Sequence, residues 1–127
     1  MLANAILGVR DIQRGTAFYD AVLGALGYVR MSASEKFVGY GTGQGKSQFF
    51  ICIPRNGQPA TNGNGTQLTF VAKDKAAVDK FHAAALAGGG TDEGAPGYRP
   101  PDKTTSYGAY VRDPYGNKLM ASCANPG

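Results

Sequence analysis

The sequence predicts an α+β domain in which two βαβββ modules pair into a curved mixed sheet around a central cup, helices on the convex side. Three observations predict it. The chain repeats itself: a shift of 63 residues puts Asn4 on Gln67, Asp11 on Asp74, Phe18 on Phe81, Leu23 on Leu86 and Gly27 on Gly90. A shift of 71 puts Gly45 on Gly116 and Cys52 on Cys123. Each half opens with a short apolar run and a capped helical stretch, and the second half closes on a hairpin, Tyr107–Cys123.

In the first half, Leu2–Val9 reads as a strand, with Asn4, Ile6 and Gly8 on one face and Ala5, Leu7 and Val9 on the other. Asp11 stands where an N-cap belongs, its carboxylate able to accept from the orphan N–H groups of the first turn. From Ile12 to about Leu26 the apolar residues Phe18, Val22, Leu23 and Leu26 fall at helical spacing, and Gly27 ends the helix. Three short strands follow, Tyr28–Ser32, Phe37–Gly41 and Gln48–Pro54, separated by Ser- and Gly-rich turns. The module spans about residues 2–54.

Arg55–Thr66 is poor in core residues and rich in Gly, Asn and Pro, and reads as a linker or mobile loop. The second module, about residues 67–123, restarts the plan. Gln67–Ala72 is a strand, Asp74 caps a helix to about Ala87 with Val78, Phe81 and Ala85 as its buried stripe, and Gly88-Gly89-Gly90 stops it. Pro96, Pro100 and Pro101 argue against regular structure over Gly94–Thr105. The final hairpin has strands Tyr107–Arg112 and Lys118–Cys123 around Asp113-Pro114-Tyr115-Gly116, the residue order of a type I turn.

Composition narrows the function. A chain of 127 residues is one domain that can bury a core without staples. The net charge of +4 comes from thirteen Lys and Arg spread along the chain, so the basic stripe of a nucleic-acid binder is missing. No run approaches the ~18 apolar residues of a membrane span. No basic-then-apolar leader precedes the first strand, which leads us to expect a cytoplasmic protein. Cys52 and Cys123 have no Cys-x-x-Cys partner and read as free, buried thiols.

With its paired modules, Gly8-Val9-Arg10-Asp11, Ala17-Phe18-Tyr19, Val22-Leu23-Gly24 and Asp113-Pro114-Tyr115-Gly116-Asn117, the chain resembles the vicinal oxygen chelate superfamily. That superfamily includes glyoxalase I, bleomycin-resistance proteins, fosfomycin-resistance enzymes and ring-cleaving dioxygenases. Ala83-Ala84-Ala85-Leu86 and Gly94-Ala95-Pro96-Gly97 resemble segments of small bacterial glyoxalase-like members. The resemblance covers about residues 3–123. It implies a divalent metal in the cup, held by a His on the first strand and by a carboxylate or another His on the last strand of each module.

Carried over by position, those sites are Asn4, Gln67, Met120 and Phe49, or Gln48 if the register slips by one; none is a His or a carboxylate. Amides, a thioether and a phenyl ring supply almost no charge to offset desolvation of a dication. His82, the only histidine, lies on the second helix. Asp11 and Asp74 are caps, Asp113 is a turn residue, and Glu35, Asp92, Glu93 and Asp102 are read as loop residues. No metal cofactor is expected.

The cup nevertheless has polar character. Asn4, Gln67, Thr69, Met120 and Ser122 share the inward parity, with Lys118 at the rim. Asn4 and Gln67 either hydrogen-bond each other or water across the pseudo-twofold axis, or present donors and acceptors to a ligand above Met120 and Phe49. Tyr98, Arg99, Tyr107, Tyr110 and Arg112 cluster near the mouth, and Arg99 suits a carboxylate or phosphate. The expected ligand set is Asn4, Gln67, Phe49, Thr69, Met120, Tyr110, Arg99 and Lys118.

Two readings follow: a metal-free binder of a small organic molecule without turnover, or a glyoxalase-like lyase or isomerase (or a dioxygenase-related enzyme) acting on a small metabolite with atypical or no metal. The missing ligands favour the first, and the absence of a paired acid and base weighs against the second. Open sheet edges and the resemblance both lead us to expect a homodimer.

Overall fold

The computed structural model describes residues 1–101 and 103–126; Asp102, read from sequence as a loop acid, lies outside them. The α+β class and the two βαβββ modules hold. Module 1 is β1 (Ala5–Gly8), α1 (Ile12–Ala25), β2 (Val29–Ala33), β3 (Phe37–Gly41) and β4 (Phe49–Cys52). Module 2 is β5 (Leu68–Val71), α2 (Lys75–Ala87), β6 (Thr91–Tyr98), β7 (Ser106–Arg112) and β8 (Lys118–Ala124).

The repeat is visible in the details. Asp11 and Asp74 are both extended N-caps, accepting from Arg14 and Ala77 N–H groups respectively. Gly45 and Gly116, which the longer shift superposes, share the left-handed conformation at φ 71° and 88°. Leu23 and Leu86 do not share an environment, since Leu23 is buried and Leu86 is 43% exposed.

Each module keeps its own four-stranded sheet, in the orders β1-β4-β3-β2 and β5-β8-β7-β6, with β1–β4 and β5–β8 parallel and the other pairs antiparallel. No hydrogen-bonded strand pair joins the sheets among the described residues, so the pairing of modules rests on side chains. Helix α1 packs against α2. One hydrophobic core takes Phe18, Tyr19, Val22 and Leu23 from α1 and Val78, Phe81 and Ala85 from α2, together with one face of each sheet. Burying a side chain the size of Phe81 contributes about 2–3 kcal/mol, so the helical stripes account for much of the cohesion.

The segment read as irregular from Gly94 is instead the second half of strand β6. It is an edge strand, with register shifts between Asp92 and Gly94 and between Gly94 and Gly97. An edge position and a bulge tolerate Pro96, whose missing N–H interrupts no central ladder. Asp92 and Glu93 therefore lie on a strand, not in a loop. The 55–66 connection holds no helix or strand, but Ala60 is buried and Arg10 donates to its carbonyl at 3.0 Å. Among the described residues no helix is long and apolar enough to cross a membrane.

Candidate functional site

Helix α2 covers one face of the second sheet, taking Ala109, Val111, Leu119, Ala121 and Cys123 into the core. Strand alternation turns the intervening residues to the other face: Gly108, Tyr110 and Arg112 from β7, and Lys118, Met120 and Ser122 from β8. Thr69 of β5 lies beside Met120, and Gly94 of β6 beside Tyr110.

Six of the eight expected ligand residues meet there. Gln67 Nε2 donates to Thr69 Oγ1 at 3.0 Å and makes a long contact, 3.9 Å, with Met120 Sδ. The Arg99 guanidinium lies 5.5 Å from the Tyr110 ring centroid and Lys118 Nζ 5.2 Å from it. Arg99 also donates to the Ala95 carbonyl, while its Nε is buried with no hydrogen-bond partner. Ser106 and Ser122 hydroxyls pair at 3.3 Å.

Glycines make room for this arrangement. A Cβ on Gly108 would sit 2.5 Å from the Met120 ε-methyl, and one on Gly94 would sit 2.9 Å from the Tyr110 ring and 3.2 Å from the Arg99 guanidinium. The thioether and the cation lie where side chains of β6 and β7 would otherwise stand. In the sequence Gly94 and Gly97 belong to a segment that carries the resemblance, and Gly108 lies inside the expected strand Tyr107–Arg112. A strand-interior glycine marks close approach of another group, and that signal was present.

Two expected residues fall elsewhere. Phe49 is a core residue: its ring lies 5.2 Å from Tyr19 and 5.2 Å from Phe70. The register pairs Ala5 with Phe49 and Ile6 with Phe50, so Gln48 and Phe50, not Phe49, share the parity of Asn4. Asn4 is exposed ahead of β1 in the other sheet, and Gln67 bonds Thr69 rather than Asn4. The aromatic cluster at the mouth also divides. Tyr98 accepts from Lys75 Nζ at 2.9 Å and Tyr107 donates to Asp79 at 2.7 Å, both on the α2 side, whereas Arg99, Tyr110 and Arg112 take the other face.

The chemistry of this face is cationic and hydrogen-bonding. Arg112 is compensated by Glu93 at 2.8 Å. Neither Arg99 nor Lys118 forms an ion pair with a carboxylate among the described residues. The imidazole lies on α2, where His82 Nε2 meets Asp92 at 2.8 Å. That contact, with the Gly94 N–H, holds the Asp92 carboxyl below its ordinary pKa. Among the described residues no three of His, Cys, Asp and Glu come together as a metal site. Gln67 turns its NH₂ toward the Met120 sulfur, and two cations flank Tyr110, a donor set and a charge that do not fit a divalent ion.

A concavity of 410 Å³ opens where the modules meet, lined by Tyr40, Gln48 and Phe49 on one side and by Gln67, Thr69 and Phe70 on the other, so that Gln67 and Thr69 border it as well. Tyr28 Oη closes part of it by donating to the Val71 carbonyl at 2.6 Å.

Comparison with known proteins places this geometry in context. A family model described as the Glyoxalase/Bleomycin resistance protein/Dioxygenase superfamily matches residues 2–121. The crystal structure of a glyoxalase/bleomycin resistance protein from Albidiferax ferrireducens T118 is 41% identical, covers 95% of this chain and 96% of its own, and superposes with a TM-score of 0.84. A glyoxalase/bleomycin resistance protein/dioxygenase family enzyme from Burkholderia phytofirmans PsJN is 25% identical over 97% of this chain and 98% of its own, with a TM-score of 0.71. A lactoylglutathione lyase from Agrobacterium tumefaciens is 26% identical over 96% and 92%, with a TM-score of 0.60. No curated protein matches the chain.

Proposed function

The chain belongs to the glyoxalase/bleomycin resistance protein/dioxygenase superfamily, and within it we propose a metal-free protein that binds a small organic molecule on the open face of its second sheet without turning it over. The observation that carries this is the convergence of Gln67, Thr69, Met120, Tyr110, Arg99 and Lys118 on that face. An apolar floor with a few oriented polar groups is how small-molecule sites are built. Asn4, Gln67 and Met120, at the positions where the resemblance implies metal ligands, offer neither imidazole nor carboxylate.

A glyoxalase-like lyase or isomerase is the competing reading, and likeness to a lactoylglutathione lyase speaks for it. Such chemistry needs a general base within reach of the reacting carbon. The carboxylate beside Arg112, Glu93, is committed to an ion pair, and the imidazole is on α2.

The proposal includes a homodimer. The face of the first sheet opposite α1 presents Ile6, 50% exposed, and the Phe37–Phe50 pair, stacked at 4.6 Å. An apolar face of this kind is a natural surface for a second copy.

A thermal-shift screen of small metabolites tests the binding reading. A compound that raises the melting temperature of the wild type, does so less for Tyr110→Ala, and is recovered unchanged supports it. A compound consumed on incubation with the protein contradicts it and promotes the enzymatic reading.

A further inference from the structure

We propose that the molecule bound on this face is an oxyanion, a small carboxylate attached to an apolar body, held by the cationic pair Arg99 and Lys118 that flanks Tyr110. The inference rests on the binding face proposed above and adds the chemical class of its occupant.

The first ground is uncompensated charge. Arg99 and Lys118 lie within 5.5 Å of the same ring centroid, each without a carboxylate partner among the described residues. Two like charges beside one ring repel, and an anion bound on this face offsets that repulsion. The acids nearby are engaged: Glu93 with Arg112, and Asp92 with His82 and the Gly94 N–H. Arg99 contributes to lowering the Asp92 pKa but is not its hydrogen-bond partner.

The second ground is an orphaned donor. Arg99 Nε is buried and makes no hydrogen bond among the described residues, although buried N–H groups are nearly always paired. Of the guanidinium donors, an NH₂ group is spent on the Ala95 carbonyl. A carboxylate can accept from Nε together with a neighbouring N–H in the fork geometry that Arg favours. The third ground is the surface beside the cations. Met120 lies over Gly108 as a flexible apolar floor, and the Tyr110 ring and the Arg99 guanidinium lie over Gly94. A charged head meets the cations and an apolar body packs along Met120 and the Tyr110 ring. Thr69 Oγ1 and the Gln67 amide lie on the Met120 side and can hydrogen-bond a polar substituent there.

The test uses three ring compounds of matched size: benzoate, benzamide and benzylamine. Each is titrated into the full chain while backbone amide NMR shifts are followed at Thr69, Tyr110 and Met120. Benzoate is expected to bind at least about fivefold tighter than benzamide and to weaken with added salt, with benzylamine weakest. In Arg99→Gln and in Lys118→Gln, both partly exposed positions that leave the core intact, that preference is expected to shrink to less than about twofold. Benzamide or benzylamine binding at the same amides as tightly as benzoate overturns the oxyanion assignment and leaves the binding face standing. A preference for benzoate that survives in both variants overturns the role of Arg99 and Lys118. If none of the three moves these amides, both the inference and the binding face fall.

Discussion

Tyr19 Oη donates to Asp113 Oδ2 at 2.6 Å across 94 residues of sequence, in the buried centre of the molecule. Asp113 also accepts from the N–H groups of Tyr115 and Asn117 and from Asn117 Nδ2. Asn117 Nδ2 reaches the Gly8 carbonyl at 3.0 Å, Tyr115 Oη the Asp11 carbonyl at 3.1 Å, and the Arg10 guanidinium lies 5.0 Å from the Tyr115 ring centroid. The segments Gly8–Asp11 and Asp113–Asn117, which carry the family resemblance, are thus two sides of one latch between the modules. Their hydrogen bonds serve the fold.

Tyr19→Phe is expected to lower stability at pH 7 by about 1.5–3 kcal/mol, the net value of a hydrogen bond to a charged acceptor. Urea unfolding of the two proteins checks it. An unchanged midpoint would mean that the latch holds without this bond.

The same phenol gives a pH signature. Burial, and then the Asp113 charge, raise the Tyr19 pKa well above its ordinary value. A phenol whose folded pKa exceeds its unfolded one stabilises fully below the unfolded value, about 10, and loses that contribution as pH rises through the folded value. The stability gap between wild type and Tyr19→Phe should therefore be constant from pH 7 to 9 and narrow above about pH 10. A gap that widens there would reverse the assigned shift.

Two glycine substitutions should act in opposite directions. Gly116 has φ 88°, and a Cβ there would sit 2.0 Å from Asn62 Nδ2, so Gly116→Ala should cost at least about 1 kcal/mol. Gly24 lies inside α1 with nothing within 4 Å of its added Cβ. Gly24→Ala should stabilise by roughly 0.5–1 kcal/mol through helix propensity. Thermal melts of both, taken together, decide whether the turn and the helix are as described.

The proposed homodimer is checked by light scattering on wild type and on Ile6→Lys and Phe37→Lys. The wild type should run at twice the 13.2 kDa chain mass. Each variant should shift toward the monomer if that face of the first sheet is the interface. A wild type already at the chain mass sinks the dimer.

Much of the fold was legible because the repeat was. The two Asp caps, the α2 stripe Val78, Phe81 and Ala85, and the hairpin around Asp113-Pro114-Tyr115-Gly116 all follow from local pattern. Strand β6 was not, because Pro96 argues against a central strand and the sequence does not reveal that this strand is an edge. Phe49 was misassigned because one residue of register moves a side chain to the other face, and Gly- and Ser-rich turns leave that register unspecified. Asp113 was read as a turn residue, and locally it is; its bond to Tyr19 depends on how two modules pack, which no short-range pattern encodes. The inward parity of Thr69, Met120 and Ser122 was legible in the sequence, whereas the placement of Asn4 and Phe49 and the split of Tyr98 and Tyr107 from Arg99 and Tyr110 needed coordinates.

The central claim, a binding face that works without a metal, is tested most directly by metal analysis of untagged protein purified without chelator, followed by melting curves with Ni²⁺, Zn²⁺, Mn²⁺ and Fe²⁺ added. An ion that binds the native state raises its melting temperature by mass action. Metal content near zero and melting curves that none of the four ions moves is the predicted result. Stoichiometric metal, or a clear upward shift with one ion, would contradict it and move the lyase or dioxygenase-related reading to first place.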